Sequence, residues 1–300
     1  MSRFQVLSDV QWSLIEGLLP TRTGRAGRPF ADARSMVEGI VYRYRYRCGT
    51  AWRDLPEAFG PWQTVWAWHH RLAVQGTWDV ILDRLLVEAD AAGLVDWSVS
   101  VDSTIARAHQ HATNVTRHTG AGSNYTNPGA EPPDHAIGRS RGGLSTKIHQ
   151  LVDGHGLPLV IACTPGQAGD SPMLLPLLGQ LRVGRAVGGR PRTRPDAVRG
   201  DKAYSSRAIR RHLRERGIIA VIPEPADQLG HRKRRGSRGG RPPAFDAHDY
   251  GGRNVIERRF CHLKQWRGLA TRYDKLATTY RAAAVLNAVI AWTRQLQDTP

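Results

Sequence analysis

Few cysteines, few acids and no long apolar run are the first features of this 300-residue sequence. The three cysteines, Cys48, Cys163 and Cys261, are far apart and show no paired-ligand spacing, so neither a disulfide framework nor a cysteine zinc site is indicated. This cysteine usage is typical of a reduced intracellular protein. No apolar run reaches membrane-spanning length, and the N-terminus lacks a secretory apolar segment. We therefore expect a soluble, cytoplasmic protein.

The shortage of acids leaves a strong excess of positive charge. Lys and Arg number 43 against 26 Asp and Glu, a formal net charge of +17. Such an excess favours a polyanionic partner, most simply nucleic acid bound through neutralisation of its phosphates. Codon bias in a GC-rich genome would also raise the arginine content, but would not by itself produce a net excess of cations. A phosphate-cradling Gly-x4-Gly-Lys-Ser/Thr motif is absent, so ATP use is not expected.

The first third of the chain has the pattern of a small helical domain. In residues 1–97, apolar side chains recur at helical spacing between short Gly/Pro turns. Arg43 and Arg47 fall together on a separate face of the second helix, and helices with exposed arginines are typical of a helix-turn-helix DNA-binding domain. The apolar series are Val10, Leu14 and Leu18 after a Ser8 cap, then Val37, Ile40, Val41 and Tyr44, then Val65, Trp68, His69 and Leu72.

Residues 98–300 predict an α/β domain. An alternating strand over 98–103 is followed by two apolar strands, 144–152 and 157–163, around the turn Asp153-Gly154-His155-Gly156. A helix, a short strand ending at Asp201, an Arg-rich helix over 205–216, a strand over 218–222 and further helices complete the order. By analogy this order matches the RNase H-like fold, a mixed five-stranded sheet flanked by helices. Polar, Gly- and Pro-rich stretches predict mobile loops near 112–143 and 225–248.

Three acids in this domain form a candidate site. Asp102 and Asp201 each end a predicted strand, and Glu257 lies on a predicted helix that can pack across the sheet. Converging carboxylates provide the oxygen ligands that Mg²⁺ prefers, and two such ions about 4 Å apart can assist an in-line displacement at phosphorus. The alternative for each acid is a helix cap or a surface ion pair. Asp170, before a Ser-Pro helix start, is predicted as a cap or turn residue, with a supporting acid as the alternative.

The helix predicted around Glu257 carries a patterned polar stripe. Tyr250, Arg253, Glu257 and Lys264 have offsets of 3, 7 and 14 residues, which at about 100° per residue lie within one narrow stripe of a single helix. An adjoining apolar stripe consists of Ile256, Phe260 and Leu263. The helix could therefore bury an apolar edge while directing a carboxylate and two cations to one point, which suggests phosphodiester chemistry.

This Tyr-x2-Arg-x3-Glu-x6-Lys signature is the first of several stretches that carry a family resemblance. The chain resembles a DDE transposase of a bacterial insertion sequence, in the class defined by this signature and most closely the insertion sequence five group. Supporting stretches cover residues 7–12, 52–56, 102–104, 138–147, 201–204 and 270–275. Some members of the class carry a long β-rich insertion before the glutamate. Only 55 residues separate Asp201 from Glu257, so that insertion is absent or vestigial here.

The resemblance implies roles for individual residues. Asp102, Asp201 and Glu257 would be the catalytic triad, holding two Mg²⁺ ions with Mn²⁺ as a substitute. Arg253 and Lys264 would contact the DNA backbone near the cleavage site. The remaining residues implied at the DNA are Tyr250 beside them, and Lys202, Lys147 and Arg272 as candidates for phosphate contacts, with solvated surface charge as the alternative for these last three.

The implied function is transposition. The protein would cleave double-stranded DNA at the terminal inverted repeats of its element and transfer the 3′ hydroxyl into target DNA. The helices of 1–97 would recognise the repeats, and a homodimer or higher oligomer, associated with the nucleoid, would hold two ends. Two alternatives remain open: a non-catalytic sequence-specific DNA-binding protein derived from a transposase, and a structure-specific nuclease on the RNase H-like fold.

Overall fold

The structure, a computed structural model, describes residues 5–20, 32–45, 51–114 and 129–298. Helices and strands alternate after an all-helical first part. The helices are α1 (Asp9–Ser13), α2 (Ala33–Arg45), α3 (Trp62–Val74), α4 (Thr77–Ala91), α5 (Gln110–Thr113), α6 (Leu174–Gln180), α7 (Arg207–Glu215), α8 (Ala226–Arg234), α9 (Ala247–Gly251), α10 (Asn254–Gln265), α11 (Arg267–Ala270) and α12 (Ala277–Gln297). The strands are β1 (Ser98–Ala108), β2 (Gly138–Ser140), β3 (Gly143–Val152), β4 (Pro158–Pro165), β5 (Ala197–Arg199), β6 (Ile219–Val221) and β7 (Thr271–Arg272).

The strands form one mixed sheet, which confirms the expected RNase H-like architecture. β1 pairs antiparallel with β3, and β3 pairs antiparallel with β4 across the predicted hairpin. On the other edge of β1, β5 runs parallel to it and β6 runs parallel to β5. These five strands are the predicted set. The short strands β2 and β7 extend the sheet beside β3 and β1, so the described residues contain a seven-stranded sheet.

One edge of β1 changes its partner strand along its length, and the candidate site lies at the unpaired stretch between the two partners. Ser100 is the last residue of β1 that pairs with β5, opposite Arg199. The same edge of β1 is paired again only at Arg107, with β7. Asp102 and Asp201 each lie two residues beyond the Ser100–Arg199 pair. The parallel register therefore sets the two aspartates at equivalent positions, where the strands separate.

A single hydrophobic core runs through both halves of the chain. Helix α12 packs against α4, α3 and β4, and its residues from Ala282 to Ile290 are all buried. All of them except Asn287 are apolar, as expected for a helix that is covered on every side. Trp292 donates from Nε1 to the carbonyl oxygen of Pro158 at 2.7 Å. The predicted division at residue 97 therefore does not interrupt the core, and two separate domains stay a prediction. No described helix is both long enough and apolar enough to cross a membrane.

The first helix is capped as predicted but buries different side chains. Ser8 Oγ accepts from the backbone of Gln11, whose side chain bonds the Ser8 backbone in return. The helix ends at Ser13 and a 3-10 turn follows at Glu16–Leu18, so the spacing of a longer helix does not apply. Val10, expected on the apolar stripe, is 54% exposed. The buried apolar residues of this segment are Leu7, Ile15 and Leu19.

The expected arginine face of α2 is also corrected. Arg43 is only 3% exposed, and its guanidinium lies 3.1 Å from Asp274 Oδ2. A buried cation needs such a partner, because leaving it unpaired in the core would be costly. Arg47 lies outside the described residues. The other apolar positions of α2 and α3 are buried as predicted.

Arg43 belongs to a buried polar network that joins the helical first part to the end of the chain. Tyr44 donates to Asp274 Oδ2 at 3.0 Å, and its hydroxyl lies 2.9 Å from Nε2 of His69. Arg272 donates to the carbonyl oxygen of Asp274 at 2.9 Å. We refer to Arg43, Tyr44, His69, Arg272 and Asp274 as the buried junction.

Both predicted mobile loops contain regular structure. Segment 225–248 holds α8 and a 3-10 turn at Gly236–Gly239, where its Gly and Pro content predicts a loop. In segment 112–143, β2 lies beside β3, and the Glu131 carboxylate accepts from the first backbone N–H groups of α12 at 2.6 and 2.9 Å. A carboxylate is favourable at this end of a helix, so it anchors the segment. Residues 115–128 lie outside the described residues.

Candidate active site

The signature segment is not one helix, which corrects the single-stripe geometry. Tyr250 lies on α9, Arg253 lies just before α10, and Glu257 and Lys264 lie on α10. Between the helices the backbone bonds run from residue i to residue i−3, as from Arg253 N to Tyr250 O at 3.0 Å. Such bonds give three residues per turn rather than 3.6, and the pair at 251–252 consists of glycines, which favour helix weakly. The stripe calculated for one regular helix therefore does not extend to Tyr250, which nevertheless lies close enough to Arg253 to help raise the pKa of Arg253.

The apolar side of α10 packs as predicted. Ile256 and Leu263 are fully buried and Phe260 is 8% exposed, and all three belong to the hydrophobic core. This packing places α10 against β1. Glu257, on the other side of the helix, is therefore held near the point where β1 and β5 separate.

Arg253 joins two of the three candidate acids. Its Nη1 donates to Glu257 Oε1 at 2.8 Å, one helical turn along the chain. Its Nη2 donates to Asp102 Oδ2 on β1. The guanidinium is 13% exposed, Asp102 is 22% exposed and Glu257 is 58% exposed. The three side chains thus form a cluster at the rim of the sheet, open to solvent on the Glu257 side.

Asp201 lies close enough to Asp102 for its charge to affect the pKa of Asp102. Burial raises the pKa of Asp102, and the negative charges of Asp201 and Asp170 raise it further, while a hydrogen bond from Ser103 N and the charge of Arg253 lower it. Asp201 Oδ1 accepts from Ala203 N at 2.9 Å. Asp201 therefore caps the 3-10 turn that follows β5 while remaining beside Asp102.

Asp170 does not act as a side-chain cap, and the alternative role of a supporting acid stays a prediction. It makes no capping hydrogen bond to its own turn. Its Oδ1 accepts from Ser103 Oγ at 2.6 Å and from Lys147 Nζ at 2.8 Å. Burial alone would raise the pKa of Asp170, but these two hydrogen bonds outweigh it and lower the pKa. Because successive residues of a strand point to opposite faces, Asp170 is bound on the face of β1 opposite to that of Asp102.

Tyr204 is a site residue that the sequence reasoning did not single out for a role. It is fully buried, and its hydroxyl has no hydrogen-bond partner among the described residues. Burial raises the pKa of Tyr204, and the charges of Asp102, Asp170 and Asp201 raise it further. The hydroxyl therefore lies near all three aspartates. The only sequence signal is the spacing Asp201-Lys202-Ala203-Tyr204, which one turn of 3-10 helix brings back beneath the sheet.

Three of the predicted DNA contacts lie at accessible positions. Lys264 is half-buried in the last turn of α10, and Lys202 is exposed in the turn after Asp201. Neither ammonium group has an ion-pair partner within the part of the chain that the structure describes. Tyr250 is half-buried and packs on Phe245, with the ring centroids 5.4 Å apart.

The other two predicted contacts are occupied by the protein itself. Lys147 is 13% exposed, and besides Asp170 it donates to the carbonyl oxygen of Ala168 at 2.8 Å. Arg272 is 0% exposed, so the expected phosphate contact is corrected: no phosphate can reach a guanidinium that the fold encloses. Its acceptors are the carbonyl oxygens of Ala136, Asp274 and Lys275 and the hydroxyl of Thr146.

The chemistry of the acid cluster fits a divalent ion, but its arrangement includes a competing cation. Asp102, Asp201 and Glu257 offer only carboxylate oxygens, the donors that Mg²⁺ and Mn²⁺ prefer. Within the described ranges, no group of three or more His, Cys, Asp or Glu side chains is arranged to hold an ion. The guanidinium of Arg253 pairs with both Asp102 and Glu257 and therefore lies between these two carboxylates. Ion binding by all three acids requires this guanidinium to move.

Comparison with known families covers most of the chain. Residues 7–82 match the family described as "Putative transposase of IS4/5 family". Residues 95–292 match the family described as "Transposase DDE domain", a domain that generally uses divalent metal ions. The second match contains every member of the proposed acidic triad.

Three curated relatives are similar over parts of the chain. An uncharacterized protein, y4sN, of Sinorhizobium fredii is 36% identical over 38% of this chain and 86% of its own length. The "Putative transposase for insertion sequence element IS402" of Burkholderia cepacia is 32% identical over 55% of this chain and 68% of its own length. The corresponding IS6501 protein of Brucella ovis is 32% identical over 50% of this chain and 100% of its own length.

Two solved structures of the Mos1 transposase are more distant. One is a paired-end complex with the left transposon end, 11% identical over 82% of each chain with a TM-score of 0.23. The other is a pre-cleavage transpososome, 13% identical over 92% of this chain and 81% of that chain with a TM-score of 0.24. By its matching domains and relatives, this chain belongs to the DDE transposases of insertion sequences.

Proposed function

We propose that this transposase cleaves DNA at the ends of its element and joins the freed 3′ hydroxyl to target DNA, with Asp102, Asp201 and Glu257 as the catalytic triad. The observation that supports the triad is the double contact of Arg253. Through it, a carboxylate from β1 and a carboxylate from α10, 155 residues apart in sequence, share one partner. The register of β1 and β5 adds Asp201 to the same point.

The three carboxylates would hold two Mg²⁺ ions, with Mn²⁺ as a substitute, and would use only oxygen donors. Bound there, two divalent ions supply activation of an attacking oxygen and charge stabilisation on a leaving oxygen. The acids themselves need no covalent intermediate with DNA. Their role would be to hold the reacting groups in position and to place charge where the transition state needs it, before the reaction begins. Positioning and preorganised charge are how enzymes lower barriers to phosphoryl transfer.

The cationic side chains would position the scissile strand. Lys202 directly follows Asp201 and Lys264 follows Glu257 by two helical turns, and neither ammonium group has an ion-pair partner in the described structure, so both can donate to phosphate oxygens. When Arg253 leaves the carboxylates, its guanidinium becomes available for a phosphate oxygen, which it can bind with two donors. Tyr250 would pack beside these contacts.

The proposal also includes the DNA and the assembly. The helices of 1–97 would recognise the terminal inverted repeats, and a homodimer or higher oligomer would hold two ends together for transfer. Acting on chromosomal DNA, the protein would be cytoplasmic and associated with the nucleoid. The net charge of +17 supports binding to a long polyanion.

The test compares the two aspartates that flank β5. Asp201 follows the strand at the proposed site, whereas Asp196 precedes it, is 62% exposed and pairs with Arg192 at 2.8 Å. A labelled duplex that carries the element end is incubated with the protein and Mg²⁺ or Mn²⁺. We expect Asp196→Asn to cleave like the unmodified protein and Asp201→Asn to lose cleavage by at least about 10³-fold, because a metal ligand is lost.

Cleavage that persists in Asp201→Asn would remove the triad assignment. Specific binding without any cleavage by the unmodified protein would favour a non-catalytic DNA-binding protein. Cleavage that ignores the end sequence would favour a structure-specific nuclease.

A further inference from the structure

Helix α7 carries four arginines on one face. Residues 207, 210, 211 and 214 have the spacing i, i+3, i+4 and i+7, which places their side chains on one side of a helix. The opposite side carries Ile209 and Leu213, which are 3% and 0% exposed. Burial of the apolar side therefore turns the arginine face outward.

Helix α8 provides the second wall of a groove over this face. The groove encloses about 650 Å³. Six arginines line it against one glutamate, so its walls carry a large uncompensated positive charge. The lining side chains from α7 are those of Arg207, Arg210, Arg211 and Arg214, and those from the α8 side include Glu224, His231, Arg232 and Arg235.

The two walls are held together by specific bonds at their shared floor. Ser205 Oγ donates to Gln228 Oε1 at 3.0 Å, and Gln228 Nε2 donates back to the Ser205 carbonyl oxygen at 2.5 Å. Arg210 donates to Ser205 Oγ at 2.9 Å and to the carbonyl oxygen of Ile222 at 2.7 Å. The groove is thus built by side chains that do not need a ligand to order them.

Other arginines of the groove have unused donors. Glu224, the one acid in the walls, is engaged by Arg232. The side chains of Arg207, Arg214 and Arg235 form no hydrogen bond or ion pair within the described part of the chain. Burial lowers the pKa of Arg210, and the nearby charge of Arg232 lowers it further. These cations repel one another, and an anion in the groove would relieve the repulsion.

The groove begins next to the candidate active site. Asp201 is followed by the 3-10 turn Lys202–Tyr204, then by Ser205 in the groove floor, then by α7. Ser206 caps the first turn of α7 by accepting from Ile209 N at 3.2 Å. The exposed Lys202 therefore lies in sequence between the acids and the arginine face, and positive charge extends from one to the other.

We infer that the α7–α8 groove binds the phosphodiester backbone of the duplex where it leaves the active site on the Asp201 side. Residues 207 to 214 span about 10 Å along the helix axis, a length that matches about two neighbouring phosphates along the backbone of one DNA strand. Arginine forks suit phosphate oxygens, and this contact would be independent of base sequence. The inference rests on the proposed function, because it takes DNA as the substrate.

The experiment measures binding in EDTA, where no cleavage can occur. Arg207→Gln/Arg214→Gln removes two unpaired cations of the groove. The matched control, Arg182→Gln/Arg190→Gln, removes two exposed arginines that do not line it. Fluorescence anisotropy with an end-bearing duplex is recorded from 50 to 200 mM salt. Affinity falls as salt rises, and we expect this fall to be less steep in the groove variant, by about 2 in the slope of log affinity against log salt. Between 50 and 200 mM salt the variant should therefore lose about tenfold less affinity than the unmodified protein loses.

The control is expected to keep the slope of the unmodified protein, and circular dichroism should show equal folding of all three. An unchanged slope in the groove variant overturns the inference. If the double variant does not fold, Arg235→Gln alone should lower the slope by about 1, and no change there also overturns it. Cleavage with Mg²⁺ separates the two proposals. If the unmodified protein cleaves the end and the groove variant keeps the same salt slope, only the groove contact is contradicted. If the groove variant has a smaller salt slope but the unmodified protein does not cleave, only the proposed chemistry is contradicted.

Discussion

Two arginines 19 residues apart in sequence differ in their surroundings: one lies at the rim of the sheet and the other in the core. Arg253 and Arg272 both belong to stretches that resemble transposases, and both are expected at DNA from sequence. In the structure, Arg253 bridges two carboxylates at the rim of the sheet. Arg272 lies inside the buried junction, bound to three carbonyl oxygens and one hydroxyl. The same residue type thus serves the site in one region and the fold in the other.

The difference lies in the partners. Burial alone would lower the pKa of Arg253, but the charges of Asp102 and Glu257 outweigh it and raise the pKa. If the proposed metal ions bind, they would compete with Arg253 for those carboxylates. Burial lowers the pKa of Arg272, and its carbonyl partners belong to the backbone and cannot be exchanged. The ion pairs of Arg253 with two carboxylates can therefore break while the protein stays folded. The hydrogen bonds of Arg272 to backbone carbonyl groups can break only when the protein unfolds.

The largest contrast is expected in stability. Arg272→Met should lower the free energy of unfolding by about 3–5 kcal/mol, because it leaves buried carbonyl groups without donors. Arg253→Met should lower it by only about 1–2 kcal/mol, because the largely exposed Glu257 can be hydrated and only the partly buried Asp102 loses a partner. Urea unfolding followed by circular dichroism measures both. Equal losses in the two variants would contradict the distinction between the regions.

A second contrast concerns metal binding. We expect Arg253→Gln to bind Mn²⁺ about tenfold more tightly in the absence of DNA, a difference of about 1.4 kcal/mol, because no guanidinium has to leave Asp102 and Glu257. Paramagnetic resonance of free Mn²⁺ reports the binding without any need for activity. Arg281→Gln, which instead breaks a pair with Asp79, is the matched control and should bind like the unmodified protein. Weaker binding by Arg253→Gln would show that the arginine supports the metal site rather than competing with it.

The smallest effect should appear as a pH dependence of the buried junction. Burial lowers the pKa of His69 to about 4, while its unfolded value is about 6.5. Above pH 6.5 both states are neutral. Below it the unfolded chain takes up a proton that the folded chain refuses, so stability falls as the pH drops from about 6.5 towards 4. From pH 7.5 to 5.5 His69 should account for a loss of about 1 kcal/mol.

His69→Gln provides the comparison, since it keeps a polar side chain but does not titrate. Its unfolding free energy should depend less on pH over this range by that amount. Thermal or urea unfolding at both pH values measures the difference. An identical pH dependence in the two proteins would mean that His69 is not held neutral by the junction.

Much of the fold could be predicted because its signals are local. Alternation and turn residues located β1, the β3–β4 hairpin and the strand that leads to Asp201, and apolar spacing located α2 and α3. Local signals failed where the chain departs from regular geometry. The i to i−3 bonds before α10 interrupt the helix between Tyr250 and Glu257, and the early end of α1 exposes Val10. In both cases one short turn changes which side chains share a face.

The sequence alone determined the family, the order of strands and helices and the acids that the proposed triad contains. These properties follow from residue types and spacings along the chain. Only the tertiary structure decided which partner each charged side chain contacts. Arg253 contacts two carboxylates, Arg272 and Arg43 lie in the buried junction, and Lys147 binds Asp170. The arginines of α7 line an open groove. A charged side chain can be buried only where partners from distant segments compensate its loss of hydration, and otherwise it stays at the surface. The sequence does not state which segments become neighbours.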